Sequence, residues 1–292
     1  MQRRVGAALA LVCLLALAGC SASEGDGSDG APTVTPAEVP TDLPDDRRTT
    51  PGDPPRALLA EDPRRLSYNH AAALGDRSYT FRRVEVVTFT NGTVHAATRR
   101  TVRVAAGGVP YAAIVESRGA ARALGVKVGA KSGGASAPAR GEFWSDGSRL
   151  YWAISRDGEA EYGTVPPNRY SVRTSAFVAL ARPRPSLQVY EPFRVVESWT
   201  VTESEGGFEV VGSEATERRL IVTPADVTDP RDPRLRATVT ANGIVRSYRF
   251  AYTGTVDGER VRVVRTVAFD AIDRTAVERP PWLDRANESG AG

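Results

Sequence analysis

The chain has little of the chemistry on which most metal sites and catalytic sites depend. Its 292 residues include two cysteines, two histidines and one methionine. Cys13 and Cys20 both lie in the first twenty residues, so the rest of the chain has no thiol for a disulfide, a metal site or a nucleophile. Metal sites need clustered His, Cys, Asp or Glu, and His70 and His95 lie apart in the sequence. We therefore predict no metal, no cofactor and no catalytic constellation.

A membrane-spanning apolar run is also missing at the N-terminus. The apolar residues 5–18 are fewer than the roughly 20 that a helix needs to cross the hydrocarbon core of a bilayer. Arg3 and Arg4 precede this run, and small residues follow it. A charged start, a short apolar core and small residues are the layout of an export signal, so residues 1–19 are predicted to be a signal peptide.

The end of this run, Leu17-Ala18-Gly19-Cys20, resembles the lipobox of exported lipoproteins. The resemblance implies that a lipid is attached to the Cys20 thiol and that the chain is cut just before this residue. The mature protein would then be anchored by lipid at the extracytoplasmic face of the cell membrane. The alternatives are a plain secretory signal or an uncleaved anchor, with Cys20 incidental.

Residues 21–62 are acidic, rich in Gly and Pro, and poor in large apolar side chains. Such a segment buries too little apolar surface to offset its ordering entropy, so residues 20–62 are predicted to be the lipidated Cys and a disordered tether. The complete chain has a net charge of +3, the signal carries +2 and the tether −7, so residues 63–292 carry +8. This charge indicates either an anionic partner or an arginine-rich solvated surface. No RNA-binding motif is present, and nucleic acid is not expected as a partner.

The body of the protein begins with a helix signal. Asp62 can cap a helix, Pro63 suits its first position, and Leu66, His70 and Leu74 recur at helical spacing. Two roles are open for His70: a polar group at the mouth of a cavity, or a packing residue bonded to the backbone. A second helix is predicted over residues 171–181, with Pro183 and Pro185 ending it.

Beyond residue 75 the apolar residues alternate with polar ones. This period of two is typical of antiparallel sheets with one covered face and one solvated face. Turn dipeptides of the kind that tight hairpins require separate the segments, and they predict about ten strands in meander order. A single β-rich domain is predicted over residues 63–279, followed by a tail at 280–292 in which Trp282 folds back onto the sheet. The seven dipeptides are Asn91-Gly92, Gly107-Gly108, Asp146-Gly147, Asp157-Gly158, Gly206-Gly207, Asn242-Gly243 and Asp257-Gly258.

Both ends of this body resemble an uncharacterised haloarchaeal lipoprotein family. The resemblance covers about residues 59–286 and depends on DPRRLSYNHAAALGDRSYTFRR at the start, and on NGIVRSYRF and AVERPPWLDRA near the end. It implies a mainly β (α+β) fold, in which a curved antiparallel sheet or half-barrel has helices packed on its concave face. That fold is similar to the periplasmic lipoprotein carriers and the mycobacterial lipid-binding lipoproteins, which enclose an apolar cavity. The resemblance implies no established activity.

The candidate binding residues are aromatic. Residues 142–155 form a hairpin that brings aromatic side chains together, and one ring could line a cavity with Phe177 and Trp199. The alternative is ordinary sheet core, because aromatic residues favour strands. The candidate lining residues are Trp144, Trp152, Phe177 and Trp199, and the candidate glycosylation sites are Asn91 and Asn287.

The one-sided strands and the helices that must cover them favour a binding protein. We expect a surface-anchored lipoprotein that holds an apolar or amphiphilic ligand, such as a lipid, between sheet and helices. The alternative is a structural or interaction module of the cell envelope without a small-molecule ligand. No protein partner can be named from the sequence, and an enzyme is not expected because no catalytic constellation is recognisable.

Overall fold

The computed structural model describes residues 63–120, 139–156, 158–165, 181–182, 184–215, 217–224 and 226–289. The predicted signal peptide, Cys20 and the tether lie outside these residues. So do Phe177 and nearly all of the helix predicted over 171–181.

The described part of the chain is mainly β, with eleven antiparallel strands in one sheet that does not close. The order across the sheet is β6-β5-β4-β3-β2-β1-β11-β10-β9-β8-β7. This confirms the predicted antiparallel meander and adds one strand to the predicted count. The strands are β1 (Tyr79–Phe89), β2 (Val94–Val104), β3 (Tyr111–Gly119), β4 (Ala139–Ser145), β5 (Leu150–Arg156), β6 (Glu159–Val165), β7 (Val196–Ser204), β8 (Gly207–Ala215), β9 (Thr228–Thr240), β10 (Val245–Val256) and β11 (Glu259–Asp270).

Two meanders make up the sheet, β1–β6 and β7–β11, and β1 joins them by pairing with β11. Each of the seven turn dipeptides occurs where one strand ends and the next begins, as predicted, although Gly207 is itself the first residue of β8. Gly92 and Gly243 show why glycine occurs there: their φ angles are +88° and +82°, a region in which a Cβ would be strained.

One face of the sheet, which we call the covered face, lies beneath two helices, α1 (Pro63–Leu74) and α2 (Pro185–Phe193). The ring of His70 in α1 contacts Phe269 of β11, with centroids 4.4 Å apart. From β10, the Tyr248 hydroxyl donates a hydrogen bond to the Gln188 carbonyl oxygen of α2 (2.9 Å). The prediction of α1 is confirmed.

Helix α2 was not among the predicted helices. Pro185, which the sequence predicted to lie beyond the end of a helix over 171–181, is the first residue of the next helix. Proline suits this position because the first residues of a helix have no intrahelical partner for their N–H groups, and its fixed φ is already helical.

A third helix, α3 (Leu283–Ser289), packs on the opposite face of the sheet, against β5 and β6. Leu283 and Ala286 form a small buried cluster with Tyr151. The Trp282 indole N–H donates to Glu142 (2.9 Å), so this ring folds back onto the sheet as predicted. The helix itself was not predicted, and it lies on the other side of the sheet from α1 and α2.

The β8–β9 connection (residues 217–224 and 226–227) also overlies the covered face. Its Val222 carbonyl accepts a hydrogen bond from Arg265 of β11 (3.2 Å). Farther along, the Asp226 carboxylate pairs with the His95 ring of β2. This connection therefore ties the C-terminal meander to the N-terminal one.

Candidate functional site

Charged side chains lie in the middle of the covered face, although most of the other side chains on that face are apolar. We call this group the buried charge cluster; it consists of Arg83 and Glu85 (β1), Arg100 (β2), Arg265 (β11) and Glu191 (α2). The strand register sets its geometry, because Glu85 is directly opposite Arg265 and Arg83 is directly opposite Arg100.

Arg265 is the most completely paired member of the cluster. Its Nε donates to the Glu85 carboxylate (2.7 Å), its Nη2 donates to the Val222 carbonyl (3.2 Å) and its Nη1 lies 3.7 Å from the Glu191 carboxylate. The Arg265 side chain is only 3% exposed. A buried charge of this kind is tolerated when its donors are satisfied, as they are here.

Glu85 is shared between two arginines, since Arg83 Nη2 also donates to it (3.0 Å). The other terminal nitrogen of Arg83 donates to the Gln188 side-chain oxygen of α2 (3.4 Å). Burial alone would raise the pKa of Glu85, but the charges and hydrogen bonds of Arg265 and Arg83 outweigh burial and lower it to about 2. Glu85 is therefore a carboxylate at neutral pH.

Arg100 differs from the other two arginines because it has no counter-charge among the described residues. It is 8% exposed, and its guanidinium lies over the Phe81 ring, 5.4 Å from the centroid. Its Nε and Nη2 are buried without a hydrogen-bond acceptor among the described residues. Burial, and then the positive charge of Arg83, lower the pKa of Arg100 to about 9, which leaves it cationic at pH 7.

Neutral tyrosines border the cluster. Burial raises the pKa of Tyr79 and of Tyr248 to about 12, despite the nearby arginines that act in the opposite direction. The Tyr252 hydroxyl is buried and, within the described part of the chain, has no hydrogen-bond partner. With three arginines and two glutamates, the cluster keeps a net charge of +1.

The structure places two of the predicted lining residues on the covered face. Trp152 faces Gly163 across the β5–β6 pair, and Trp199 faces Gly212 across the β7–β8 pair. A Cβ at Gly163 would lie 2.4 Å from the Trp152 ring, and one at Gly212 would lie 2.7 Å from the Trp199 ring. The absence of a side chain at each glycine thus makes room for a tryptophan near each edge of the sheet.

Trp144 requires a correction, because it does not share a face with these two rings. Trp152 is opposite Phe143 in the strand register, so its neighbour Trp144 points to the other side of the sheet. There it contacts Tyr151 beneath α3, with ring centroids 5.7 Å apart. Trp144 and Trp152 cannot line the same interior.

The two histidines have different surroundings. His70 is fully buried, and its Nδ1 accepts a hydrogen bond from the Val245 N–H (3.2 Å), which agrees with the packing role. Burial lowers the pKa of His70 to about 3, so the ring is neutral. His95 pairs with Asp226. No group of three or more His, Cys, Asp or Glu suited to a metal ion occurs in the part of the chain that the structure describes.

Both candidate glycosylation sites are exposed. Asn91 lies in the β1–β2 turn, where its Oδ1 accepts a hydrogen bond from the Thr93 N–H (2.9 Å). Asn287 lies on α3. Modification at either residue stays a prediction.

The buried charge cluster was not predicted from the sequence, although a signal was present. In β11, Arg265 takes the place of an apolar residue in the alternating series between Val263 and Val267. Arg83 and Glu85 interrupt β1 in the same way. A charge inside an otherwise apolar period-two series is the pattern that could have predicted a buried polar site.

Comparison with protein-family models and with curated proteins gave no match for this chain. Among the described residues, no helix is long and apolar enough to cross a membrane.

Proposed function

We propose that this protein is a lipid-anchored lipoprotein of the cell surface that binds an amphiphilic ligand between the covered face of its sheet and helices α1 and α2. The observation that carries the proposal is the buried charge cluster within a largely apolar face. An amphiphile needs both parts: apolar surface for its chain and polar groups for its head.

The chemistry of the covered face supports this role better than a purely structural one. A folding core gains little from a buried guanidinium without a counter-charge, since apolar residues of similar volume are usually as stabilising or more so. Arg100 has such a guanidinium, and the buried Tyr252 hydroxyl also has no partner among the described residues. Unpaired buried polar groups are rare in proteins and commonly mark the position of a water molecule, an ion or a ligand.

Export and anchoring are part of the same proposal. They are supported by the short apolar run, the residues Leu17-Ala18-Gly19-Cys20 and the acidic segment that follows them. A lipid on Cys20, followed by the tether predicted over residues 21–62, would let the folded body reach amphiphiles in or near the membrane.

The full-length protein, purified from its own membranes, tests the proposal. We expect mass spectrometry of its organic extract to find one amphiphile in near-stoichiometric amount, enriched over its share of the bulk membrane lipids. An extract with the bulk lipid composition would contradict ligand binding. It would favour the alternative of an envelope module, which recovery of one stoichiometric protein partner after cross-linking in cells would support.

A further inference from the structure

The unpaired edge of Arg100 has a defined shape. Its two buried atoms without an acceptor among the described residues, Nε and Nη2, belong to the same side of the guanidinium. Their N–H groups form a fork of parallel donors that matches the two oxygens of a carboxylate or a phosphate. The guanidinium carbon of Arg100 lies over the Phe81 ring, 5.4 Å from its centroid.

The neighbouring carboxylates are already engaged by other arginines. Glu85 accepts from both Arg83 and Arg265, and Glu191 pairs with Arg265. Among the described residues no carboxylate remains for Arg100, and the side chain opposite it in the register is the like-charged Arg83. Within the buried charge cluster the imbalance is therefore one positive charge, which a single anionic group would neutralise.

One further arginine lies near the cluster. Arg182 is near enough to influence the pKa of Tyr79, as Arg100 does, and it adds a further positive charge. Apolar residues flank Arg100 on the same face of the sheet: Val102 lies two residues farther along β2, and Val115 is directly opposite on β3. An anion held here would have its head at Arg100 and its chain against apolar side chains.

We propose that the Nε–Nη2 edge of Arg100 binds the oxyanion head group, carboxylate or phosphate, of an amphiphile on the covered face. This inference rests on the proposed function and narrows its ligand class. Arg83, Glu85 and Arg265 form the preorganised surroundings. Arg100 provides the cation whose charge the head group neutralises.

Three photoreactive probes test the inference. They share a twelve-carbon chain and a diazirine and differ only in the head group, which is a carboxylate, a phosphate or a neutral alcohol. The full-length protein is reconstituted in lipid nanodiscs, and the probe concentration per lipid that gives half-maximal labelling of covered-face peptides is measured. We expect at least one of the two anionic probes to label at about tenfold lower concentration than the alcohol, since charge-assisted bidentate pairs are strong. Acetate and inorganic phosphate, which have no chain, should compete weakly.

Arg100→Gln should abolish the preference for the anionic probe, and Arg100→Lys should keep only part of it because an ammonium lacks the fork. Arg99→Gln is the matched control. Arg99 is the neighbouring arginine on the same strand, but it is exposed and lies on the opposite face, so its replacement should leave the preference unchanged. Thermal unfolding of ligand-free Arg100→Gln and Arg100→Met checks folding, and we expect midpoints no lower than that of the unsubstituted protein.

The outcomes separate the two proposals. If all three probes label equally and Arg100→Gln changes nothing, the inference is wrong and amphiphile binding stands. If no probe labels the covered face, the proposed function fails as well. If acetate or inorganic phosphate competes as strongly as the long-chain anions, and only when Arg100 is present, the site takes a small free anion and the amphiphile assignment is overturned.

Discussion

Glu85 and Arg265 are directly opposite each other on β1 and β11, 180 residues apart in the sequence, with Arg265 Nε 2.7 Å from the Glu85 carboxylate. These two strands join the N-terminal and C-terminal meanders. The ion pair therefore lies at the junction of the two halves of the sheet, on the face that α1 and α2 cover.

Replacing one member of this pair should be strongly destabilising. Arg265→Met removes the main partner of Glu85 and Glu191, and breaking a buried pair typically costs about 3–5 kcal/mol of unfolding free energy. Urea unfolding measures this loss. The control is Arg262→Met, which replaces an exposed arginine on the same strand. It should change the unfolding free energy by about 0.5 kcal/mol or less.

The double variant Glu85→Gln/Arg265→Met should be less destabilised than the sum of the two single variants, because it leaves no unpaired charge at these two positions. Additive losses would show that the two side chains do not interact across β1 and β11.

Glu85 should make stability depend on pH in the acid range. Its pKa in the folded protein is about 2, below the ordinary value of 4.5, so the unfolded chain takes up the proton first as the pH falls. Stability from this group is complete above pH 4.5 and is lost on descending to pH 2, by on the order of 3 kcal/mol. In Glu85→Gln, unfolding free energy measured from pH 5 to pH 2 should fall less steeply; an unchanged slope would contradict the assignment.

His70 should stay neutral well below its ordinary pKa of 6.5. Burial lowers the pKa of its ring to about 3, so protonation favours the unfolded chain and stability falls as the pH drops from 6.5 towards 3. NMR should show His70 ring resonances that do not titrate between pH 8 and pH 5, and His95→Gln provides the assignment because the chain has two histidines. A titration midpoint near 6.5 would mean that the ring is solvated.

The anchoring proposal depends on Cys20. We expect Cys20→Ser to prevent both lipid attachment and the cut before this position, so the variant should keep residues 1–19 and lose the mass of the lipid. Intact-mass spectrometry of the protein from membranes measures both changes. A Cys20→Ser protein with the same N-terminus as the unsubstituted protein would show that processing is independent of this residue.

Local features were predictable from the sequence, and long-range ones were not. Helix α1 and the seven hairpins depend on a few adjacent residues, such as Pro63 at a helix start and Gly92 in a turn. Helix α2 was not predicted because Pro185 was assigned only to the end of a preceding helix, although proline also begins helices.

The charge cluster was missed because it depends on pairing between strands from the two ends of the body. Nothing near Glu85 in the sequence indicates that β1 pairs with β11, or that Arg265 is the residue opposite it. The face on which Trp144 lies could have been anticipated from strand alternation. Successive residues of a strand point to opposite faces, so the β4–β5 register decides whether Trp144 and Trp152 share a face. Of the predicted lining residues, Trp152 and Trp199 lie on the covered face.

The most direct test of amphiphile binding on the covered face is the map of residues that the twelve-carbon anionic photoprobe labels in the full-length protein. The account predicts labels on β1, β2, β11 and α2 at residues that face the buried charge cluster, with labelling reduced in Arg100→Gln and unchanged in Arg99→Gln. Labels confined to the opposite face around α3, or to residues 1–62, would contradict it.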